Sequence, residues 1–490
     1  MAAVMIQGCG SDVGKSVLVA GLCRLFTNRG LVVRPFKSQN MSNNAAVTRD
    51  GGEIGRAQAL QAQACRTAPS VDMNPVLLKP QGEESAQLIV RGRMSGTLGA
   101  RAHARDKRAL LEIAIDSYRR LEQEAQLIIV EGAGSPAETN LRAHDIANMG
   151  LAQELRLPVV LVGDIDRGHV IASLVGAHAV LDAADRERVR GFIINKFRGV
   201  ARLFDEGLER ITAHTGWPSL GIVPWLSAAR DLPAEDGMQL DEPQSSVPRN
   251  SGKGRLKIIV PRLPRIANFD DFDPLAAEPD VELIFVAPGR PLPADAPLII
   301  LPGTKSTIAD LEFMRAQGWD IDTLAHVRRG GHLLGICGGY QMLGRQITDP
   351  EGIEGLPRTV PGLGLLEMTT QMRADKTLRA VAGIVLPGGH SFSGYEMHIG
   401  VSSGPATQRP FLQLCGGATD GAWSDDMRVG GCYVHGLFGS TEFRSNFLRA
   451  LGARSAGHDH TARVERALDG IAAELARCVD IAALEAIARG

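Results

Sequence analysis

Residues 332–344 read His332-Leu-Leu-Gly-Ile-Cys337-Gly-Gly-Tyr-Gln-Met-Leu-Gly344, an apolar run that ends on a cysteine and continues into a glycine-rich stretch. The run 332–336 predicts a short buried strand, and 338–343 predicts a helix start. Cys337 then falls at a strand-to-helix elbow. Such a turn holds the side chain out from the backbone and leaves a following N–H free to stabilise an oxyanion. A helix N-terminus also favours the thiolate, the reactive form of cysteine. The competing reading is a buried core cysteine, the common fate of an isolated one. Two distant segments weigh against it. Ile299-Ile-Leu-Pro-Gly303-Thr304 reads as a strand and a glycine turn, able to supply a second oxyanion N–H from Gly303 or Thr304 besides that of Gly338. Gly431-Cys-Tyr-Val-His435 reads as a strand ending in a candidate general base.

The elbow belongs to an alternating series of strand-like runs at 256–260, 281–286, 298–301 and 332–336. An earlier series has runs at 4–6, 31–36, 127–130, 159–162 and 192–195. Helical patterns at 14–29, 105–124 and 145–155 lie between them. Val17, Leu18, Leu22, Leu25 and Phe26 share one side of the first helix, and Gly30 is its natural stop. Strands separated by helices imply α/β architecture, with doubly wound parallel sheets covered on both faces. Residues 236–255 carry Pro, Ser, Gly and charge and predict a linker. The expected organisation is a first domain over 1–235, a second over 256–455 and a helical tail over 456–490.

A chain of 490 residues is too long for one ordinary core. A hydrophobic content of 44% with 22% charge is that of a globular protein. A net charge of −2 and no long basic run give no reason to expect a nucleic-acid partner. No apolar stretch approaches the roughly 18–20 residues of a membrane span, and the first residues lack a basic, apolar leader. The seven cysteines lack metal-type spacing, as reduced cytoplasmic thiols would.

Gly8-Cys-Gly10-Ser-Asp-Val13-Gly14-Lys15-Ser16 follows the first strand and opens the first helix. Backbone N–H groups of such a loop cradle phosphates, the lysine reaches the outer phosphates, and the hydroxyl can ligate Mg²⁺. The usual first glycine is replaced by Cys9, with glycines on either side. Glu131, Asp164 and Asp166 fall at or just beyond strand ends, where ligands of open α/β sheets bind. Each alone is as readily an ordinary surface or capping acid. Asn195-Lys196 ends another strand and reads as an adenine contact or, nearly as readily, as a plain surface pair.

The second half resembles a class I glutamine amidotransferase domain, on Pro302-Gly303, the Gly335-Ile-Cys337-Gly-Gly elbow and Val434-His435-Gly436. That resemblance implies Cys337 as nucleophile, His435 as base and Gly303 and Gly338 at the oxyanion hole, releasing ammonia from L-glutamine through a glutamyl thioester. Full-triad members carry Glu two residues after the histidine. Here that position is Leu437, so the third member is missing or comes from elsewhere, with Glu396 as the candidate.

The first half resembles dethiobiotin synthetase-like phosphate-loop ligases. This implies ATP bound by Gly8, Gly10, Val13, Gly14, Lys15, Ser16, Asn195 and Lys196, and Mg²⁺ held by Ser16, Glu131 and Asp164. Five further motifs (Lys37–Asn44, Gly51–Gln58, Val130–Glu138, Gly163–Arg167 and Gly394–His398) make the chain similar to the cobyric acid synthase family, over all but the linker. The similarity implies ATP- and glutamine-dependent amidation of the b, d, e and g carboxylates of a corrinoid, adenosylcobyrinic acid a,c-diamide. Lys37, Gln39, Asn40, Ser42, Asn43 and Arg167 are the candidate substrate contacts, and neither nucleic acid nor membrane is a partner. The sister amidase of the a and c carboxylates shares both domain types and differs in the substrate motifs. A CTP synthase has the same domain order but carries the missing glutamate. A partition-type ATPase has an extra lysine early in its loop, and residues 8–13 contain none.

Overall fold

The computed structural model describes residues 2–81, 85–99, 103–235 and 255–490; the predicted linker lies outside them except for its last residue. The chain forms two units, one of Met1–Ser42, Thr48–Glu235 and Ala462–Gly490, the other of Asn43–Val47 and Asp236–Thr461.

The first unit is built on a six-stranded parallel sheet in the spatial order Ser219–Pro224, Val189–Phe197, Val159–Asp164, Ala2–Gly8, Leu127–Glu131 and Val33–Phe36. The strands are mostly apolar because both faces are covered. Side chains alternate between the faces: Val4 and Ile6 join one core with Leu18, Leu22 and Phe26, and Met5 joins the other with Ile128, Val130 and Phe192. The first helix, Lys15–Asn28, begins within the phosphate loop. Its end uses the N–H groups of Gly30 and Leu31 to bond Thr27 O and Phe26 O, so the second strand starts at Val33 rather than at 31. The expected helix over 145–155 is confined to Met149–Glu154, because the Asp145 carboxylate collects the N–H groups of Ala147, Asn148 and Gly150 and holds that stretch as a turn. A smaller sheet of Gln39–Met41, Val76–Pro80, Ser85–Val90 and Arg93–Gly99 stands apart from the main one.

The C-terminal helices His460–Cys478 and Ile481–Arg489 cover the face that carries the first helix. Gly21 makes room for them, since a Cβ there would stand 2.6 Å from both Ile471 and Leu475. Buried Arg24 reaches Glu465 at 2.6 Å and Asp469 at 3.4 Å.

The second unit has its own parallel sheet, ordered Val281–Val286, Leu256–Pro261, Leu298–Leu301, His332–Ile336 and Val429–Cys432, with the antiparallel pair Ala422–Trp423 at the edge. Between 344 and 429 the chain adds strands of two further sheets, one mixed and one antiparallel, that the sequence pattern did not suggest. One of them contains His390–His398 paired with Val434–His435. The chain thus leaves the parallel sheet after Cys432 and enters the antiparallel one at Val434. That change of sheet delivers His435. No helix among the described residues is long and apolar enough to cross a membrane.

Leu475→Ala removes a buried side chain from the first unit's core. It is expected to lower stability by about 2–5 kcal/mol, read as a shift in denaturant midpoint.

Candidate catalytic sites of the two units

Cys337 sits at the predicted elbow with φ 52° and ψ −109°, a strained backbone for a residue with a Cβ. Its N–H is tied to Cys432 O at 2.8 Å, and the helix Gly338–Met342 follows at once. Only glycine fits beside it: a Cβ on Gly339 would stand 2.1 Å from Leu301 O. The thiol is buried, 3.6 Å from Met397 O.

His435 is also buried and has two polar neighbours that act on its charge, one of them the Cys337 thiol. The other is a residue the sequence did not single out: His435 Nδ1 meets Asp271 Oδ2 at 2.6 Å, while Asp271 Oδ1 accepts the Gly436 N–H at 2.7 Å. The Tyr395 ring stacks on the imidazole with centroids 5.3 Å apart. Burial alone would pull the imidazole's pKa down. The charges and hydrogen bonds of Asp271 and Cys337 outweigh it and push the value up to about 10. Glu396, the expected third member, is instead paired with Arg379, and its backbone lies opposite Val434 rather than His435. Asp271 lies in Asn268-Phe-Asp-Asp-Phe-Asp, whose three aspartates look alike until folding chooses one. Its place just beyond the strand Leu256–Pro261 was the available signal.

The turn after Leu301 closes the site. Ala267 N–H donates to Gly303 O and Lys305 N–H to Arg265 O, both at 2.9 Å, so the Thr304 N–H between them faces the other way. A Cβ on Gly338 would stand 3.2 Å from Thr304 N, and one on Gly303 would stand 2.8 Å from His435 Cε1. Among the described residues nothing accepts a hydrogen bond from the N–H of Gly338 or Thr304. Two free donors beside a thiol and an oriented imidazole can stabilise an oxyanion formed on an acyl group.

In the first unit, Gly14 takes φ 93°, and a Cβ there would strike Asn195 Nδ2 at 2.4 Å. Asn195 in turn holds Val13 O at 2.7 Å. Lys15 Nζ rests on Gly10 O at 3.0 Å and Gly134 O at 3.1 Å; burial lowers its pKa, while Glu131 opposes the shift. Ser16 Oγ lies 2.8 Å from Glu131 and 2.5 Å from Glu235, and Lys37 Nζ lies 2.8 Å from each of the same two carboxylates. Gln61 Nε2 also bonds Glu131. A hydroxyl carries one proton and cannot donate to two carboxylates at once. Three oxygens so placed form a donor set suited to a hard divalent cation. Glu235 was missed because it stands at the edge of the predicted linker.

The other expected residues divide. Ser42 Oγ bonds Glu235 O at 2.8 Å and Asn40 Nδ2 bonds Gln58 Oε1 at 3.0 Å, so Lys37 and Ser42 converge on Glu235. Gln39 opens the strand Gln39–Met41, and Asn43 begins the segment counted with the second unit. Asp164 is engaged by Lys196 at 2.9 Å and by the Asp166 N–H, not by Ser16. Lys196 also reaches Asp12 O, and Arg167 lies 3.3 Å from the Asp12 carboxylate, so these residues flank the loop on the Asp12 side.

The raised pKa of His435 fixes the sign of a pH effect. Its bond to Asp271 stabilises the folded chain fully below the ordinary value of 6.5, and that contribution fades as pH climbs through about 10. The stability lost in Asp271→Asn is therefore expected to be largest just below pH 6.5 and to shrink toward pH 10, as measured by urea unfolding.

Residues 257–443 match the CobB/CobQ-like glutamine amidotransferase domain, and residues 4–239 match the CobQ/CobB/MinD/ParA nucleotide binding domain. A cobyric acid synthase of Caulobacter sp. (strain K31) is 63% identical over 100% of both chains. Those of Rhizorhabdus wittichii and Sphingopyxis alaskensis are 57% and 58% identical, over 100% of this chain and 99% of theirs. With both domains present and likeness at this level from end to end, the chain belongs to the cobyric acid synthase family, glutamine-hydrolysing ligases of cobalamin biosynthesis.

Proposed function

We propose that the chain uses ATP and L-glutamine to amidate the b, d, e and g carboxylates of adenosylcobyrinic acid a,c-diamide, giving adenosylcobyric acid. The observation that carries this reading is the full-length likeness to cobyric acid synthases in a chain where Cys337, His435 and Asp271 stand in catalytic order. In the second unit His435 takes the thiol proton, and the Cys337 sulfur attacks the carboxamide carbon of glutamine. The N–H groups of Gly338 and Thr304 receive the oxyanion. His435 returns its proton to the departing ammonia, then activates water against the thioester. Asp271 keeps the imidazole in the correct tautomer and stabilises its charged form.

In the first unit the acceptor must be activated, because a carboxylate has no good leaving group. Transfer of the ATP γ-phosphoryl makes an acyl phosphate, which ammonia then attacks. Lys15 and Lys37 supply positive charge where the phosphates and the acceptor carboxylate meet. Ser16, Glu131 and Glu235 are the residues that would hold Mg²⁺. When bound, that ion neutralises phosphate charge. Asn40, Ser42 and Asn43 offer the acceptor hydrogen bonds, with Gln39 and Arg167 nearby in sequence motifs of the same family.

Mass spectrometry of adenosylcobyrinic acid a,c-diamide incubated with protein, Mg²⁺-ATP and glutamine is expected to show stepwise exchange of hydroxyl for amino groups, ending when the b, d, e and g positions are filled. Cys337→Ala should abolish turnover with glutamine but not with added ammonia, and Lys15→Ala should remove both. Asp271→Asn should lower the glutamine reaction on the order of 10²–10⁴-fold, with the ammonia reaction intact. An unaltered corrinoid alongside continued glutamine hydrolysis would reject the acceptor.

A further inference from the structure

Within the second unit the chain changes sheets twice at the same level. One crossing is that of Tyr433, between Val429–Cys432 in the parallel sheet and Val434–His435 in the antiparallel one. The other runs beside it. Thr419–Asp420 pairs with Leu412 and Gln413 in the antiparallel sheet, and Ala422–Trp423 pairs with Gly430 and Gly431 at the edge of the parallel one. Gly421 stands between these two pairs with φ 78°. A Cβ there would lie 2.2 Å from Gly431 O and 2.9 Å from Cys432 Cβ, so the two crossings touch without a side chain between them.

One carboxylate ties them together. Asp420 Oδ2 accepts the N–H of Tyr433 at 2.9 Å, a residue that belongs to neither strand. The backbone groups of Val434 and Gly421 also favour the charged form of Asp420.

The tied segment carries both reacting groups of the thiol site. Cys432 O holds the Cys337 N–H at 2.8 Å, and His435 follows three residues later. Asp271 grips the far side of that histidine, at the imidazole and at the Gly436 N–H. Asp420 grips the near side, between the point where the nucleophile is attached and the base. Slack at Tyr433 would leave Cys337 fixed on Cys432 O and let His435 move relative to it.

Asp420 is 8% exposed. Burial, with the Glu396 carboxylate adding to it, pushes its pKa up to about 7. Arg379, on the strand Thr377–Val385 of the same sheet, feels the Asp420 charge but is paired with Glu396 of His390–His398. Tyr340 of the elbow helix, Cys432 and Tyr433 also face it, and burial keeps all three protonated. Burying a carboxylate costs stability that a neutral tie would not.

We propose that Asp420 is a positioning residue for glutamine hydrolysis: its charged carboxylate, by holding the Tyr433 N–H, sets where His435 stands relative to Cys337. The proposal rests on the reading of Cys337 as nucleophile and His435 as base. It gives the glutamine reaction an acid limb. As pH falls through about 7, Asp420 takes up a proton, its hold on Tyr433 weakens and hydrolysis slows. An aspartate that only joined two sheets would change stability and leave the limb in place.

Glutamate formation from glutamine by the full chain is followed across roughly pH 5.5–8.5 in the wild type, Asp420→Asn, Glu396→Gln and Cys337→Ala. Asp420→Asn is expected to lower kcat on the order of 10–10²-fold with KM little changed, and to abolish the limb seen in the wild type. Glu396→Gln keeps Asp420 and removes the negative charge beside it, so its limb should move to lower pH. An Asp420→Asn protein with wild-type kcat or with the limb intact overturns the proposal, and so does a wild type whose rate is flat through pH 7. Where Asp420→Asn does not fold, Glu396→Gln decides, and an unmoved limb overturns the proposal. Glutamine hydrolysis by Cys337→Ala would reject the nucleophile and the proposal with it. An inactive Cys337→Ala beside any of the other adverse results removes the positioning role alone.

Discussion

The hydrogen bond between His435 and Asp271 is the constraint around which the second unit is arranged. The two residues are 164 positions apart, one in the turn Phe269–Phe272 and the other in a strand of the antiparallel sheet. Asp271 hangs beyond the first strand of the parallel sheet. His435 is reached only after the chain has left that sheet for an antiparallel one. An imidazole in apolar surroundings would be neutral and free to turn. A carboxylate that is itself held by the Gly436 N–H fixes both its charge and its orientation. The glycines of the site follow from the same demand for closeness, because the Cys337 elbow, the Gly303 turn and the His435 strand meet where a single extra carbon would not fit.

The first unit solves a different electrostatic problem. Two lysines and two glutamates share a small, mostly buried space, and each lysine would be costly to bury alone. Lys37 answers this by bridging Glu131 and Glu235. Burial pushes the Glu235 carboxyl up, yet Lys37 and Ser16 leave it below its ordinary value, so it stays an acceptor. Gln61 takes the remaining oxygen of Glu131. The result is a balanced set of charges in one mostly buried space.

Much of this was legible beforehand for reasons of periodicity and punctuation. Apolar runs buried on both faces marked the parallel strands, and glycine beside a single reactive side chain marked both loops. The strands between 346 and 420 were not legible, since their half-exposed faces mix polar and apolar residues without a clean alternation. Asp271 and Glu235 escaped for a related reason. An acid becomes distinctive only through what it touches, and their partners are 164 and up to 219 residues away. Glu396 attracted notice because it sits in a memorable motif, but Arg379 claims it.

The packing of the last helices against the first one has a consequence for how the chain is made. Arg24 and Glu465 are 441 residues apart, yet their ion pair joins the first helix to the helix His460–Cys478 that packs on the same apolar core. On a ribosome that core lacks one of its faces until residues 462–490 emerge. Most of the second unit is continuous in sequence and is complete before then. The half synthesised first is therefore the half finished last, and its unfilled apolar face is the part of the nascent chain most exposed to aggregation.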